Sequence, residues 1–231
     1  MKLSIVIPVY NEKDTFLSLL DRVRQTPFDK EIILVEDCST DGTRDIVKKL
    51  AEEDTSLKCV FHGKNMGKGA ALATGFKHVE GDIVIIQDAD LEYNPEEYPV
   101  ILAPILDGRA DIVYGSRFLG SPQRVHLFWH YVGNKTLTLF SNIFTNINLT
   151  DMETCYKAFR STLLPRFTIR SKRFGIEPEI TAKFARLKCK IYEVPVSYSG
   201  RDYAEGKKIG WKDGLAAFFW IVYYNLNRSM H

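Results

Sequence analysis

The sequence has little of several features that mark specialised classes of protein. Its 231 residues carry a formal net charge of only +2, so composition gives no indication of a nucleic-acid partner. It has only four cysteines, none at CxxC spacing: Cys38, Cys59, Cys155 and Cys189. This spacing argues against a paired-cysteine zinc site and against the dense disulfides of small secreted domains. We therefore expect reduced, buried thiols.

Long hydrophobic runs are also missing. No stretch reaches the roughly 20 apolar residues that a membrane-spanning helix needs. The apolar run after Met1 is too short for a signal peptide, and we therefore expect a cytoplasmic location. The uncharged stretch Leu215–Tyr224 is long enough only for a buried or interfacial helix. We find no internal repeats and no low-complexity segment.

The chain does contain a regular alternation of strand and helix patterns. Residues 3–7, 31–35, 57–61 and 82–87 read as strands, and residues 14–24, 43–53 and 68–79 as the helices between them. The strand runs are almost continuously apolar, as in strands buried on both faces. We predict one α/β domain with a Rossmann-like, open, twisted, mostly parallel sheet and helices on both faces. Farther along, residues 112–114 and 190–197 read as strands and 128–147 as a long helix.

Acidic residues follow three of the predicted strands. Ligands of an open parallel sheet bind outside the carboxyl ends of its strands, so these loops are expected to meet at one edge. The loops are residues 8–12, 36–42 and 88–90. The last is Asp88-Ala89-Asp90, whose carboxylates at positions i and i+2 point to one side of an extended backbone and suit one hard cation. We expect Mg²⁺ or Mn²⁺ there, and the alternative is a pair of solvated loop aspartates.

Two further segments are candidates for phosphate or nucleoside contacts. Asp37 either contacts a base or ribose or has a structural role, and Asp41 or Thr40 is a candidate N-cap of the following helix. Residues 65–71 place glycines and Lys68 at a helix start, where free amides favour an anion, although a tight turn explains them equally well. A late basic group consists of Arg117, Arg201, Lys207 and Lys208.

Taken in order, the motifs resemble those of the inverting family 2 glycosyltransferases with a GT-A fold, and most of all the polyprenyl- or dolichyl-phosphate sugar synthases. The resemblance covers residues 5 to about 210. It rests on IVIPVYNE, VEDCSTDGT, NMGKGAALATGF, QDADLEYNPEE, YGSRF, TDMETCYKAFR and GRDYAEGKKIG.

The resemblance implies a role for each matching residue. The nucleoside pocket would be lined by Pro8, Tyr10, Glu12, Val35 and Asp37. The metal and diphosphate would be contacted by Asp88, Ala89 and Asp90, and phosphates by Arg117, Arg201 and Lys207. Two departures stand out: Glu36 replaces the usual aspartate, and Glu92 stands where relatives carry Gln or His and is a candidate third metal ligand.

The function implied is inverting transfer of a sugar from a nucleoside diphosphate, with UDP as the expected nucleotide, to polyprenyl or dolichyl phosphate. We expect one domain over residues 1–231, with a nucleotide-binding half (1–110), an acceptor-binding half (111–210) and an amphipathic C-terminal helix (211–231). Peripheral attachment to the cytoplasmic membrane face is expected, with residues 126–147 either facing lipid or forming a core helix. A homo-oligomer is left open.

Two other functions are considered. A saccharide hydroxyl must lose a proton in order to attack, so that acceptor would require a base, with Asp151 or Glu153 as candidates. A lipid phosphate is already largely ionised at neutral pH and requires cations instead. The catalytic residues expected are Asp90, Arg117, Arg201 and Asp151. From another class, the chain could be a non-catalytic nucleotide-sugar-binding subunit.

Overall fold

The structure, a computed structural model, describes residues 1–120, 127–173, 175–200 and 211–227. Its strands are β1 (Leu3–Val9), β2 (Lys30–Glu36), β3 (Leu57–Phe61), β4 (Ile83–Ile86), β5 (Ile112–Ser116), β6 (Lys157–Arg160) and β7 (Ile191–Pro195). Its α-helices are α1 (Phe16–Gln25), α2 (Thr43–Glu53), α3 (Lys68–Phe76), α4 (Tyr98–Leu106), α5 (Phe128–Thr145), α6 (Ile176–Arg186) and α7 (Trp211–Leu226). Short 3₁₀ turns cover Pro95–Glu97 and Ser161–Arg166.

The strands form one sheet in the order β3-β2-β1-β4-β6-β5-β7. The pairs β1 with β2, β2 with β3, β1 with β4 and β5 with β7 are parallel, whereas β6 is antiparallel to both of its neighbours. The predicted mostly parallel sheet is therefore confirmed. The carboxyl ends of β1, β2 and β4 lie at one edge, which places their loops side by side.

Apolar side chains cover both faces of the sheet. Along β1, Ile5 and Ile7 enter one hydrophobic cluster with α1, α2 and α4, and Val6 between them enters a second cluster with α3, α6 and α7. This is the period of two that a strand imposes on its side chains. Gly75 of α3 allows the close packing, because a Cβ there would lie 2.4 Å from Val6 Cγ1. The predicted layers on both faces of the sheet are confirmed.

Three elements are present that the pattern of residues did not predict. Helix α4 contains Pro104, and α6 begins with Glu177-Pro178-Glu179, so neither reads as a regular apolar helix. Strand β6 has only four residues and includes the buried Lys157. Its antiparallel pairing with β4 joins residues more than 70 positions apart, which local periodicity does not reveal.

A buried carboxylate, Glu31, ties the amino ends of β1 and β2 to the loop before β4. It accepts hydrogen bonds from the Ser4 hydroxyl, from the amides of Glu80 (2.7 Å) and Gly81 (2.9 Å), and from Lys58 Nζ (2.8 Å). Burial by itself would raise the pKa of Glu31, but these bonds together lower it to about 2. The ionised carboxylate therefore stabilises the fold at neutral pH.

We expect Glu31→Gln to lower the free energy of unfolding by about 3 kcal/mol at pH 7. Since the folded pKa is depressed, this stabilisation is present above pH 4.5 and is lost as the pH falls toward 2. Denaturant unfolding between pH 7 and pH 2.5, with the exposed Glu52→Gln as a matched control, measures it. A difference between the two variants that does not change with pH would contradict this account.

Candidate active site

The three acidic loops meet at the carboxyl edge of the sheet, as their positions predicted. The Asn11 amide donates to Ser39 Oγ (3.0 Å), and the Asn11 side chain accepts from the Thr40 amide (2.8 Å). Thr15 Oγ1 donates to the main-chain oxygen of Ala89 (3.4 Å). The loops after β1, β2 and β4 are thus joined by direct hydrogen bonds.

Asp88 is held from the inside of the molecule. Its Oδ1 lies 2.8 Å from Lys68 Nζ, and the same ammonium lies 3.2 Å from Glu177 Oε1 and 2.9 Å from Cys155 Sγ. Burial would lower the pKa of Lys68, but the charge of Asp88, with help from Glu177, raises it well above its usual value. The lysine is therefore charged, and it fixes Asp88 from one side.

Asp90 and Glu92 lie on a bend rather than on an extended strand. Strand β4 ends at Ile86 and the backbone bends from Ala89 onward, so the expected extended geometry of Asp88 and Asp90 is wrong. Asp90 Oδ1 accepts the Glu92 amide (3.1 Å), and Glu92 Oε2 accepts the Tyr198 hydroxyl (2.7 Å). Glu92 is thereby turned toward Tyr198, and its role as a metal ligand stays a prediction.

The residue types still fit a divalent cation. Carboxylate oxygens such as those of Asp88 and Asp90 are the ligands that Mg²⁺ and Mn²⁺ favour. Within the residues that the structure describes, no group of three or more His, Cys, Asp or Glu side chains could hold a metal by itself. Mg²⁺ in proteins is commonly held by one or two carboxylates, with water or substrate phosphates as its other ligands.

Glu36 and Asp37 at the end of β2 each have partners that offset their mutual repulsion. Glu36 is fully buried, is paired with Arg44, and accepts the amides of Cys38 (3.2 Å) and Ser39 (2.6 Å). Asp37 is 2.7 Å from Nδ1 of the buried His62, a residue that the sequence did not suggest. A structural role of Asp37 is therefore evident, and its nucleoside contact stays a prediction.

The amino end of α3 is filled by the protein itself. Asp37 accepts the amides of Met66 (2.8 Å) and Gly67 (2.6 Å), so a carboxylate of the chain occupies the anion position. A Cβ at Gly67 or Gly69 would lie 2.1 to 2.2 Å from the carbonyls of residues 172 and 171. Close packing explains these glycines. The Lys68 ammonium faces Asp88 and Glu177, and its contact with a bound anion stays a prediction.

Arg117 and Asp151 form a buried, bidentate ion pair. Arg117 Nε is 2.7 Å from Asp151 Oδ2, Nη2 is 2.8 Å from Oδ1, and the Arg117 amide also donates to Oδ2 (3.0 Å). The guanidinium lies over the ring of Tyr198, 5.0 Å from its centroid. Burial opposes ionisation of Asp151, but the charge and hydrogen bonds of Arg117 keep its pKa below the usual value. An ionised carboxylate held in this way is a poor base.

The other predicted nucleoside contacts fall into two groups. Tyr10 and Pro8 are partly exposed at the end of β1, and Glu12 is buried and accepts Thr15 Oγ1 (2.8 Å). The side chains of Val35 and Ala89 lie in the hydrophobic core, so any contact with a ligand would come from their main chain. Arg201 and Lys207, with Lys208, lie outside the described residues.

Several functional candidates were missed by sequence reasoning. A small cavity is lined by Glu177 from α6, Cys155, Lys157 from β6, and Lys68, the ion-pair partner of Asp88. Lys157 Nζ donates to the main-chain oxygen of Met152 (3.3 Å). The acidic first turn of α6 was the available signal for Glu177, because acidic residues favour a helix start. Nothing local in the sequence indicated that β6 would bring Lys157 to the same place.

An open, mostly parallel sheet with paired aspartates after its central strand β4 is the fold of the GT-A glycosyltransferases. The model of glycosyl transferase family 2 matches residues 4–167. The chain belongs to glycosyl transferase family 2.

Sequence relatives carry more specific names. An undecaprenyl-phosphate mannosyltransferase of Micrococcus luteus is 31% identical over 220 residues, covering 91% of this chain and 88% of that protein. An undecaprenyl-phosphate 4-deoxy-4-formamido-L-arabinose transferase of Pseudomonas fluorescens is 32% identical over 209 residues. The match covers 88% of this chain but only 59% of that relative.

Solved structures share the fold. Glucosyl-3-phosphoglycerate synthase from Mycobacterium tuberculosis, in complex with Mn²⁺, UDP and glucosyl-3-phosphoglycerate, gives a TM-score of 0.73 at 20% identity, covering 100% of this chain and 81% of that one. A mannosyltransferase from Pyrobaculum calidifontis, in complex with GDP-mannose and Mn²⁺, gives 0.63 at 25% identity, covering 90% and 58%.

Proposed function

We propose that this protein transfers a sugar from a nucleoside diphosphate to a polyprenyl phosphate, with inversion at the anomeric carbon. The observation that carries the proposal is the state of Asp151. A saccharide acceptor needs a base, and of the two candidates, Asp151 and Glu153, Asp151 is instead ion-paired with Arg117, with its pKa held low. A phosphate acceptor needs no base. The names of the two undecaprenyl-phosphate relatives support the same acceptor class.

The donor would be bound at the carboxyl edge of β1, β2 and β4. Asp88 and Asp90 would hold Mg²⁺ or Mn²⁺, which when bound offsets the charge on a leaving diphosphate. Mn²⁺ in the Pyrobaculum calidifontis mannosyltransferase supports a divalent cation. Lys68 keeps Asp88 in place, and Tyr10, Glu12 and Asp37 are the proposed nucleoside contacts. UDP is the nucleotide that we propose first.

The acceptor would lie on the side of Arg117. A dianionic phosphate can attack the anomeric carbon directly, and cations that hold it in line provide most of the catalysis. Arg117 is fixed by Asp151 and Tyr198, so its guanidinium needs no reorganisation when the reaction occurs. Arg201 and Lys207 are proposed as further phosphate ligands from their place in the basic motif.

The acceptor's lipid tail would require an apolar surface, and helices α5 and α7 offer one. The side chains of Phe128 (67% exposed), Trp129 (77%) and Ile143 (65%) on α5 point outward, as do Phe219 (59%) and Leu226 (67%) on α7. Helix α5 buries Thr138 and Ser141 and packs Leu137 and Phe140 partly against the core. The outer face of α7, over the side chains that the structure describes, is aromatic. No helix in the described ranges is long and apolar enough to span a bilayer. We propose peripheral attachment to the cytoplasmic membrane face through this surface.

We expect Phe128→Ser combined with Trp129→Ser to weaken binding to anionic phospholipid vesicles at least about tenfold, because each large side chain loses more than 1 kcal/mol of burial in lipid. Co-sedimentation with vesicles measures the effect. Leu106→Ser is the matched control, since Leu106 is exposed on α4 at the opposite face of the sheet. Equal binding by both variants would show that α5 does not contact the membrane.

The function is tested by the release of nucleoside diphosphate from UDP- and GDP-sugars with and without a short polyprenyl phosphate. Release that requires the lipid phosphate supports the proposal. Release only with saccharide acceptors would move the role of base to Glu153, since Asp151 is ion-paired. Donor binding without release under any condition would favour the non-catalytic subunit.

A further inference from the structure

The carboxyl group of Glu153 is unusual among the buried side chains. Its Oε1 is the one buried side-chain nitrogen or oxygen, within the described part of the chain, that has no hydrogen-bond partner. Leaving such an oxygen unpaired costs about 1 to 3 kcal/mol, so native proteins rarely do so without a reason. The mechanism proposed above does not use this group. An orphaned acceptor beside a substrate site indicates a hydrogen bond that is completed by a ligand.

The position of Glu153 is fixed by its neighbours in the chain. Two residues before it, Asp151 is bonded to Arg117; two residues after it, Cys155 lies against Lys68, the partner of Asp88. Between them, Thr154 Oγ1 donates to the Gly115 carbonyl (2.5 Å). Glu153 therefore lies on the segment that joins the arginine side of the site to the aspartate side. A sugar attached to a diphosphate at Asp88 would lie over this segment.

The chemistry of Glu153 suits a hydroxyl better than a cation or a phosphate. Burial, together with the charge of Glu177, raises the pKa of this carboxyl to about 8. At neutral pH it is mostly a neutral acid, which both donates and accepts a hydrogen bond. A sugar hydroxyl offers the complementary donor and acceptor. A divalent cation, by contrast, needs an ionised carboxylate.

We propose that Glu153 binds a hydroxyl of the donor sugar and so helps to select which sugar is transferred. This inference rests on the proposed function, because it takes the ligand at Asp88 to be a nucleotide sugar. A site built to hydrogen-bond a particular hydroxyl discriminates strongly against donors that lack it, since its polar group is then left unpaired.

The test is a cycle of donor binding. Glu153→Ala and the wild type are titrated calorimetrically with the donor that binds, UDP-glucose or GDP-mannose, and with its 2-, 3-, 4- and 6-deoxy analogues. We expect the wild type to lose about tenfold or more in affinity for one deoxy donor. Glu153→Ala is expected to bind the parent donor more weakly by a similar factor, and to bind that deoxy analogue no more weakly than it binds the parent donor. Such non-additivity identifies a direct contact.

Three controls exclude a merely structural role. Affinity for the nucleoside diphosphate alone should be unchanged in Glu153→Ala, because it has no sugar. Glu153→Gln, which keeps both donor and acceptor, should retain most of the affinity, and the exposed Glu52→Ala should behave as wild type. The inference would be overturned if, for every deoxy donor, the affinity loss caused by Glu153→Ala multiplied with the loss caused by the missing hydroxyl. It would also be overturned if Glu153→Ala weakened binding of the nucleoside diphosphate alone. If donor binding shows the expected non-additivity but no sugar is transferred to a lipid phosphate, the proposed acceptor is wrong and the inference about Glu153 stands.

Discussion

Replacing Asp90 by alanine is expected to lower sugar transfer by about 10³-fold, the scale of losing one group that stabilises charge in a transition state. Asp90 is buried at the bend after β4, and with Asp88 it offers the hard oxygen ligands that a divalent cation at a diphosphate requires. Its carboxylate accepts a hydrogen bond from the Glu92 amide, and loss of that bond should lower the free energy of unfolding by about 1 kcal/mol.

The measurement combines kcat/KM for transfer with Mn²⁺ binding followed by electron paramagnetic resonance in the presence of nucleoside diphosphate. Asp21→Ala is the matched control, because Asp21 is an exposed aspartate on α1, far from the carboxyl edge. Near-normal transfer by Asp90→Ala would exclude the paired aspartates as the metal and diphosphate site. If transfer is lost but Mn²⁺ binding is unaltered, Asp90 acts on the sugar donor and is not a metal ligand.

The second large effect concerns the pair of Arg117 and Asp151. Asp151→Asn leaves a buried guanidinium without its counter-charge, which is expected to cost about 3 to 5 kcal/mol of stability and most of the activity. The asparagine side chain can still accept a hydrogen bond from the Arg117 amide. The loss of stability therefore reports on the missing charge rather than on a changed loop conformation. Denaturant unfolding and transfer kinetics of the same preparation measure both effects.

The double variant Arg117→Met with Asp151→Asn separates folding from catalysis. Removing both charges is expected to restore much of the stability, because the destabilising feature is the unpaired charge and not the absence of the pair. Transfer should stay low, since the cation proposed to hold the acceptor phosphate is missing. A double variant that regains stability and activity together would show that Arg117 serves only the fold.

The first half of the fold was predictable because each strand there is a short apolar run. The parallel direction of β1 to β4 follows from such runs alternating with helices, and each predicted helix is present to within a few residues at its ends. The second half was only partly predictable. Helix α4 contains a proline, α6 begins with alternating charges and a proline, and β6 is too short to show a period.

The site was predictable where function depends on position along a strand, and not where it depends on long-range contacts. Asp88 and Asp90 follow β4 directly, so the strand pattern indicated them. The inward direction of Lys68 depends on Glu177, which is 109 positions away and comes from a helix that was not predicted. The pairing of Asp151 with Arg117 likewise depends on two loops meeting beside an antiparallel strand.

The central claim is that the acceptor is a lipid phosphate, and one measurement tests it most directly. The protein is given the UDP- or GDP-sugar that it binds, with Mn²⁺, and the release of nucleoside diphosphate is followed with a short polyprenyl phosphate, with the matching polyprenyl alcohol, or with free saccharides. We predict release with the phosphate alone, accompanied by a glycosylated lipid phosphate of inverted anomeric configuration. Release with the alcohol or with saccharides, and none with the phosphate, would contradict the account.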